Sequence, residues 1–446
     1  MRLQSLRVTM CVLCLAAGAC SYKVVTDHRL NAAGAEKLLS DVERIRGLKA
    51  TAPLRMSMEG RARLKSGAQS DLHRVSYLQH MEDLAVAWTK VGLVPPGTDL
   101  AGAFASVGTE APAGYYETTD GILRIIDRQN PRSEIIELTG MVRQRDLVDG
   151  EVLSHEMTHA LQDMHFGLDR FLSSAPNDDA ALARRCLAEG DASFVGYAYS
   201  SVFTPSMESW LRFVESRTGA LDVAGAPDFV NRRFQMPYLQ GARFVGLVHK
   251  KGGWAAVNAA YRDPPASTEE ILHPERYLRG RDRPRDIRLP PLMSFLGEGW
   301  REIWQEAVGE LGLRTVWQRE QQQAGLRGPS AVKAAEGWDG DRAAVYVRNG
   351  VAVLAWKMGF DSDEDAREGH AAYRAMAGRY PGFTVVCETP ERVVARTGDA
   401  GVMVERRGLS LLVLEGFPPE TQEAAAEAAW AASDGNAFDP PAQEPK

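Results

Sequence analysis

Apolar residues recur at helical spacing in several stretches of the chain and alternate in others. Leu38, Leu39, Val42 and Ile45 predict a helix over Ala35 to Gly47, which Gly47 ends. Leu72 to Val91 carries the same period and is closed by Gly92 and Pro95-Pro96, while Pro53 to Met58 between the two reads as a strand. Gly114-Tyr115-Tyr116 and Ile122 to Ile126, joined by Asp120-Gly121, predict a hairpin or an edge strand. Asp149 to His165 predicts a helix capped by Asp149, with Leu153, Met157, Ala160, Leu161 and Met164 in one apolar stripe. Past Pro176, Asp178 or Asp179 caps a second helix that runs to about Ser200. Ser206 to Thr218 and Gly241 to Lys250 predict further helices, and Ser267-x-x-Glu270 a capping box ahead of His273-Pro274.

The pattern changes after Arg279. A charged stretch from Gly280 to Arg285 leads to Pro290-Pro291, an expected boundary, and Trp300 to Gln323 predicts a helix. From Ala343 the periods are those of strands around one helix: Ala343–Val347, Val351–Trp356, helix Asp363–Ala377, Phe383–Cys387, Arg392–Ala395, Val402–Glu405 and Leu409–Leu414. The fold class expected is α+β. A mainly helical domain with a small sheet over residues 35–290 is followed by a helical segment and a small α+β module over 291–436. The tail 437–446 (FDPPAQEPK after Ala437) has a disordered composition.

Composition adds two things. A formal net charge of −7 without long basic runs excludes a nucleic-acid-binding surface. The first twenty residues form an export signal: Arg2 and Arg7, an apolar run from Val8 to Ala17 too short to span a bilayer, then Gly18-Ala19-Cys20. This resembles a bacterial lipoprotein processing site, with Ala17 where such sites usually carry Leu. Cys20 would then be the lipid-bearing residue, residues 21–34 a tether, and the protein an exported envelope lipoprotein; plain secretion is the alternative. No later segment matches a membrane helix, so any attachment is by lipid anchor. Of five cysteines, Cys186 and Cys387 remain beyond Cys11, Cys14 and Cys20, and read either as a pair or as two buried free thiols.

The chemistry concentrates in His155-Glu156-Met157-Thr158-His159. Residues four apart on a helix stand one above the other, so both imidazoles project from the face opposite the apolar stripe. Glu156 falls beside a metal held by the histidines, where a base takes a proton from an attacking water. Two His and a carboxylate suit Zn2+, and a catalytic zinc needs a third protein ligand and an open position. His165 is rotated off the shared face. Glu189 is the better third ligand, because it lies on the next helix with Cys186, Ala192, Ser193 and Gly196 allowing close approach. Asp191 points elsewhere and reads as an interhelical acceptor; Asp163 reads as a ligand support or a solvated charge.

His155, Glu156, His159 and Glu189 together resemble the gluzincin branch of the zincin metallopeptidases. Several further segments resemble a group of predicted bacterial zinc peptidases, often lipoproteins: Gly114-Tyr115-Tyr116, His155–Asp163, Leu187–Ala192, Pro237-Tyr238-x-x-Gly241, Gly252-Gly253-Trp254 and Pro264–Tyr277. The resemblance covers roughly residues 35–280 and, more loosely, Trp338–Arg342. It implies a zincin-like domain with an edge strand above the active-site helix, and hydrolysis of a peptide or protein substrate. Thermolysin-type members carry an Asp four residues after the ligand Glu; here that position is Ser193.

Two residues are candidate donors to the oxyanion of such a reaction. Tyr238 sits between Pro237 and Gly241 at an expected helix start, and His273 precedes Pro274 in a capped turn. Their alternatives are a core tyrosine and a backbone-bonded histidine. Strand Ile122–Ile126 could add an extended substrate, and Trp254 reads as a turn anchor. A rival reading is a non-catalytic envelope lipoprotein, with a structural metal or with a binding role in the C-terminal module.

Overall fold

The computed structural model describes residues 22–59, 75–108, 114–126, 143, 145–147, 149–201, 206–216, 223–323 and 330–435. The leader with Cys20 and the tail 437–446 lie outside these residues. From residue 22 the expected tether is already folded. Val24 is fully buried and donates its N–H to Asp146 Oδ2 (3.0 Å), and β1 (Val25–Thr26) pairs with β2 (Arg29–Leu30) ahead of α1 (Ala32–Arg46). Gly47 ends α1 in the left-handed conformation.

The N-terminal half is helical around one small sheet. Its elements are β3 (Arg55–Glu59), α2 (Val75–Val91), α3 (Leu100–Gly108), β4 (Gly114–Glu117), β5 (Ile122–Ile126), α4 (Gly150–Phe166), α5 (Leu168–Ser173), α6 (Asp178–Ser200), α7 (Met207–Ser216), α8 (Asp228–Arg262), α9 (Thr268–Leu272) and α10 (Pro274–Arg279). In the sheet, β5 is central: parallel to β3 and antiparallel to β4. The strand expected to add substrate, Ile122–Ile126, therefore has both sides occupied, and β4 is the edge facing α4. Leu153, Met157 and Leu161 of α4 pack with Leu123, Ile125, Leu38, Val42 and Val195, which leaves His155 and His159 partly exposed on the opposite face of α4.

Several local expectations change. Asp149 makes no side-chain cap on α4, and Asn177, rather than Asp178 or Asp179, caps α6 through its Oδ1 and the Ala180 N–H (2.9 Å). Helix α8 starts thirteen residues before Gly241, with Pro237 inside it, and breaks at Gly252-Gly253. Burial of Phe229, Met236 and Phe244 against one core outweighs the missing N–H of Pro237. Trp254, just past the break, anchors the bend: the Arg46 guanidinium lies 4.4 Å from its ring centre and His249 packs edge-on at 4.7 Å.

The C-terminal half holds β6 (Arg301–Glu306), α11 (Gly309–Gln323), α12 (Ser330–Glu336), β7 (Trp338–Arg348), β8 (Val351–Phe360), α13 (Asp363–Ala377), β9 (Phe383–Glu388), β10 (Arg392–Thr397), β11 (Ala400–Arg407), β12 (Ser410–Phe417) and α14 (Pro419–Ala431). Seven antiparallel strands run in the order β6-β7-β8-β12-β11-β10-β9. Where a helix was expected from Trp300, residues 301–306 instead form β6, because pairing to β7 outweighs local propensity. Helix α14 was not expected at all; its Ala425, Ala426 and Ala429 cover Tyr346, Met403 and Leu414 on one sheet face. The other face (Val345, Trp356, Val404, Val413) belongs to a core that continues into α2, α6 and α8. The architecture is thus mixed α and β, with small sheets and one larger C-terminal sheet. Cys186 is buried and Cys387 exposed, both as free thiols.

Asp179, in the first turn of α6, is a buried carboxyl close to the C-terminal half. Thr268 donates to it twice, from its N–H (2.9 Å) and its hydroxyl (2.5 Å), with Asp341 of β7 nearby. Burial, aided by Asp341 and Asp178, pushes its carboxyl from the ordinary 3.8 up to about 7. The folded chain therefore holds this proton more tightly than the unfolded chain. Its stabilising effect is complete below 3.8 and lost as pH rises through about 7. Asp179→Asn should accordingly melt increasingly above wild type as pH is raised across that window, then keep a constant lead. Parallel melting curves at every pH would refute this.

Candidate metal centre

Helix α4 presents His155 and His159 one turn apart, and α6 brings Glu189 across to them. Glycines make that approach possible. A Cβ on Gly190 would stand 2.3 Å from the Gly241 carbonyl carbon, and one on Gly241 would stand 2.2 Å from the Cys186 oxygen, so α6 and α8 touch backbone to backbone. On its other side, α6 meets α4 at Gly196, whose added Cβ would lie 3.0 Å from the Glu151 oxygen. Glu189 lies within the first of these crossings, between Cys186 and Gly190.

Glu189 Oε2 lies 3.1 Å from His155 Nε2 and 3.3 Å from His159 Nε2, and the two nitrogens are 3.0 Å apart. Three ligand atoms around one tetrahedral zinc, each at about 2.0–2.2 Å, stand about 3.3–3.5 Å from one another. The donor set and its spacing fit a four-coordinate divalent ion with one position not filled by these three residues. Burial opposes charge on both partners, yet their mutual attraction prevails: Glu189 lifts the His159 imidazole to about 9, and the histidines hold Glu189 well below the usual carboxylate range.

Glu156 is placed beside the three ligands. Its Oε2 accepts the Tyr116 N–H of β4 (2.9 Å), which ties the carboxylate to the sheet edge. The Tyr116 hydroxyl donates to Asp163 Oδ2 (2.9 Å), and Asp163 Oδ1 accepts the Leu168 N–H (2.8 Å). Asp163 thus braces the strand and the turn after α4 rather than a histidine. Tyr238 of α8 lies nearly parallel to His155, ring centres 6.3 Å apart, with its hydroxyl bonded to Arg185. Burial raises its pKa and Glu189 reinforces this, so the phenol keeps its proton. Arg185 Nε also stands 3.8 Å from Glu189 Oε1.

His273 is not brought to this group. Its Nε2 lies 3.1 Å from Glu310 Oε1 and 2.9 Å from Arg314 Nη2, in an ion cluster on α11. The oxyanion role considered for it has no support from its position. Asp191 joins helices as expected, pairing with Arg46 of α1 (2.7 Å) and accepting the Tyr261 hydroxyl of α8 (2.9 Å). The sequence reading gives Gln162, Arg185 and Tyr116 no role of their own. Gln162 lies three residues after His159, on its side of the helix, but nothing in a sequence separates a buried glutamine from a solvated one.

Among the described residues a second acidic group, Glu269, Asp282 and Asp361, has metal-like spacing. Arg276 Nη1 lies 2.6–2.8 Å from all three carboxylates, so a guanidinium already fills that role.

Comparison with known proteins reaches only the other half of the chain. A family model described as a domain of unknown function (DUF8575) matches residues 300–427, the seven-stranded sheet and its helices. No curated protein and no solved structure matches the chain. The matched segment contains none of His155, Glu156, His159 or Glu189.

Proposed function

We propose that the chain is a zinc-dependent peptidase of zincin-like fold. The observation that carries this reading is the convergence of His155, His159 and Glu189 within 3.0–3.3 Å, with the Glu156 carboxylate tied alongside by the edge strand. A zinc ion bound there would polarise a scissile carbonyl and make water acidic enough to lose a proton near neutral pH. Glu156 takes that proton and returns it to the departing amine. Tyr238 accepts from Arg185 through its oxygen, which leaves its own O–H hydrogen free to donate to the oxyanion. Among the described residues β4 is the edge strand beside Glu156, a position from which it could pair with an extended peptide. The leader ending at Cys20 supports an exported, lipid-anchored protein, and its cleft would then face envelope peptides.

The test uses the soluble chain beginning at Ser21. About one zinc per chain by elemental analysis is expected, with hydrolysis of a library of internally quenched peptides that stops under a chelator and returns with zinc. A folded chain that takes up no zinc sinks the proposal. Zinc without hydrolysis would move the structural-metal alternative ahead.

A further inference from the structure

We infer that Gln162 is a positioning residue that decides which nitrogen of His159 faces the metal, and that buried Asp191 decides how Gln162 is turned. This rests on the metal-centre reading above.

The argument follows the direction of each hydrogen bond. Asp191 and Arg46 form an ion pair (Oδ1–Nε 2.7 Å) with both side chains fully buried, so Asp191 is an acceptor only. Its Oδ2 takes the Tyr261 hydroxyl (2.9 Å) and the Gln162 Nε2 (3.2 Å). The same Gln162 nitrogen donates to the Ala188 carbonyl (2.9 Å). Two acceptors at one end of the amide leave no choice, since turning it round would set its oxygen against both. The Gln162 Oε1 must then face His159 Nδ1, at 2.8 Å. An amide oxygen can only accept, so Nδ1 carries a hydrogen and Nε2 is the nitrogen left for the metal. With the amide reversed, the Nε2 hydrogen would point into the ligand triangle.

Solvent cannot substitute for this contact, because Gln162 and Asp191 are both fully buried. The chain that specifies one ring nitrogen therefore starts at Arg46 on α1, passes through Asp191 on α6, braced by Tyr261 on α8, and ends on α4. It supplies an orienting contact where the position four residues after Glu189 holds Ser193.

The test measures zinc affinity of the metal-free chain by competition with a chromophoric chelator, alongside the visible absorption of its cobalt(II) form. Gln162→Met keeps the length of the side chain and removes the acceptor; Gln162→Leu is the second acceptor-free variant should the first not fold. Gln162→Glu keeps an acceptor, and its acid form can donate to Asp191 while its carbonyl oxygen faces Nδ1. Zinc binding is expected to weaken about 10–100-fold in the acceptor-free variant, with an altered cobalt spectrum. Gln162→Glu should stay much closer to wild type in both readouts. An acceptor-free variant that binds zinc as wild type does overturns the inference, as does Gln162→Glu falling equally far, which would mean packing alone. A wild-type chain that binds no zinc overturns the metal-centre reading itself, before any variant is compared.

Discussion

Glu156→Gln should leave zinc bound at the wild-type ratio and lower kcat by about 10²–10⁴-fold, the usual weight of a general base. The substitution isolates one property. The amide oxygen of Gln can still accept the Tyr116 N–H that Glu156 Oε2 accepts at 2.9 Å, so the tie between α4 and β4 survives. His155, His159 and Glu189 are untouched, and folding and metal content should not move. What disappears is a carboxylate able to take a proton in the cleft. The measurement is kcat on the best library peptide, with zinc content determined on the same preparation. Hydrolysis at the wild-type rate by a zinc-loaded variant would remove Glu156 from the chemistry.

Glu189→Ala carries the second large effect, and it falls on metal binding. With two nitrogens left on α4 and no third ligand from α6, zinc affinity should drop by more than about 100-fold, beyond the loss expected from disturbing a supporting contact alone. Activity should fall with occupancy. The variant also removes the charge that holds a proton on buried His159, since Glu189 is what lifts that imidazole to about 9 against the opposing effect of burial. Undiminished zinc affinity would show that the metal sits elsewhere. The paired variants separate two failures: Glu156→Gln reports on proton transfer with the metal in place, Glu189→Ala on the metal itself.

Much of this organisation is legible one element at a time. The period of Leu153, Met157, Ala160 and Leu161 places α4 and predicts which side of it is buried, and those four residues have no exposed surface. From that phase, the side of the helix on which His155 and His159 stand follows without any tertiary information. The near-continuous apolar runs from Ala343 onward likewise mark strands, because a sheet packed on both faces needs apolar residues throughout. The Asn349-Gly350 pair makes the turn between β7 and β8 with both residues at positive φ, the conformation that tight hairpin favours.

Other features depend on contacts between residues far apart in the chain. Residues 301–306 become a strand only because β7 is there to pair with them. Tyr238 reaches His155 only because α8 runs on through Pro237 and crosses α6 at Gly190 and Gly241. Ile122–Ile126 is central rather than free because β3 arrives from sixty-odd residues earlier to cover its other side.

The sequence by itself determined the helix that carries the two histidines, the carboxylate beside them and the face on which they stand, since these depend on helical geometry over five consecutive residues. Only the tertiary structure decided how near Glu189, the third ligand favoured from sequence, comes to both histidines, that β4 and not β5 is the edge beside Glu156, and that Gln162 rather than Asp163 contacts His159. The first two are set by how closely separate elements approach, and the third by the contacts α6 makes with the Gln162 amide, all of which packing fixes rather than local pattern.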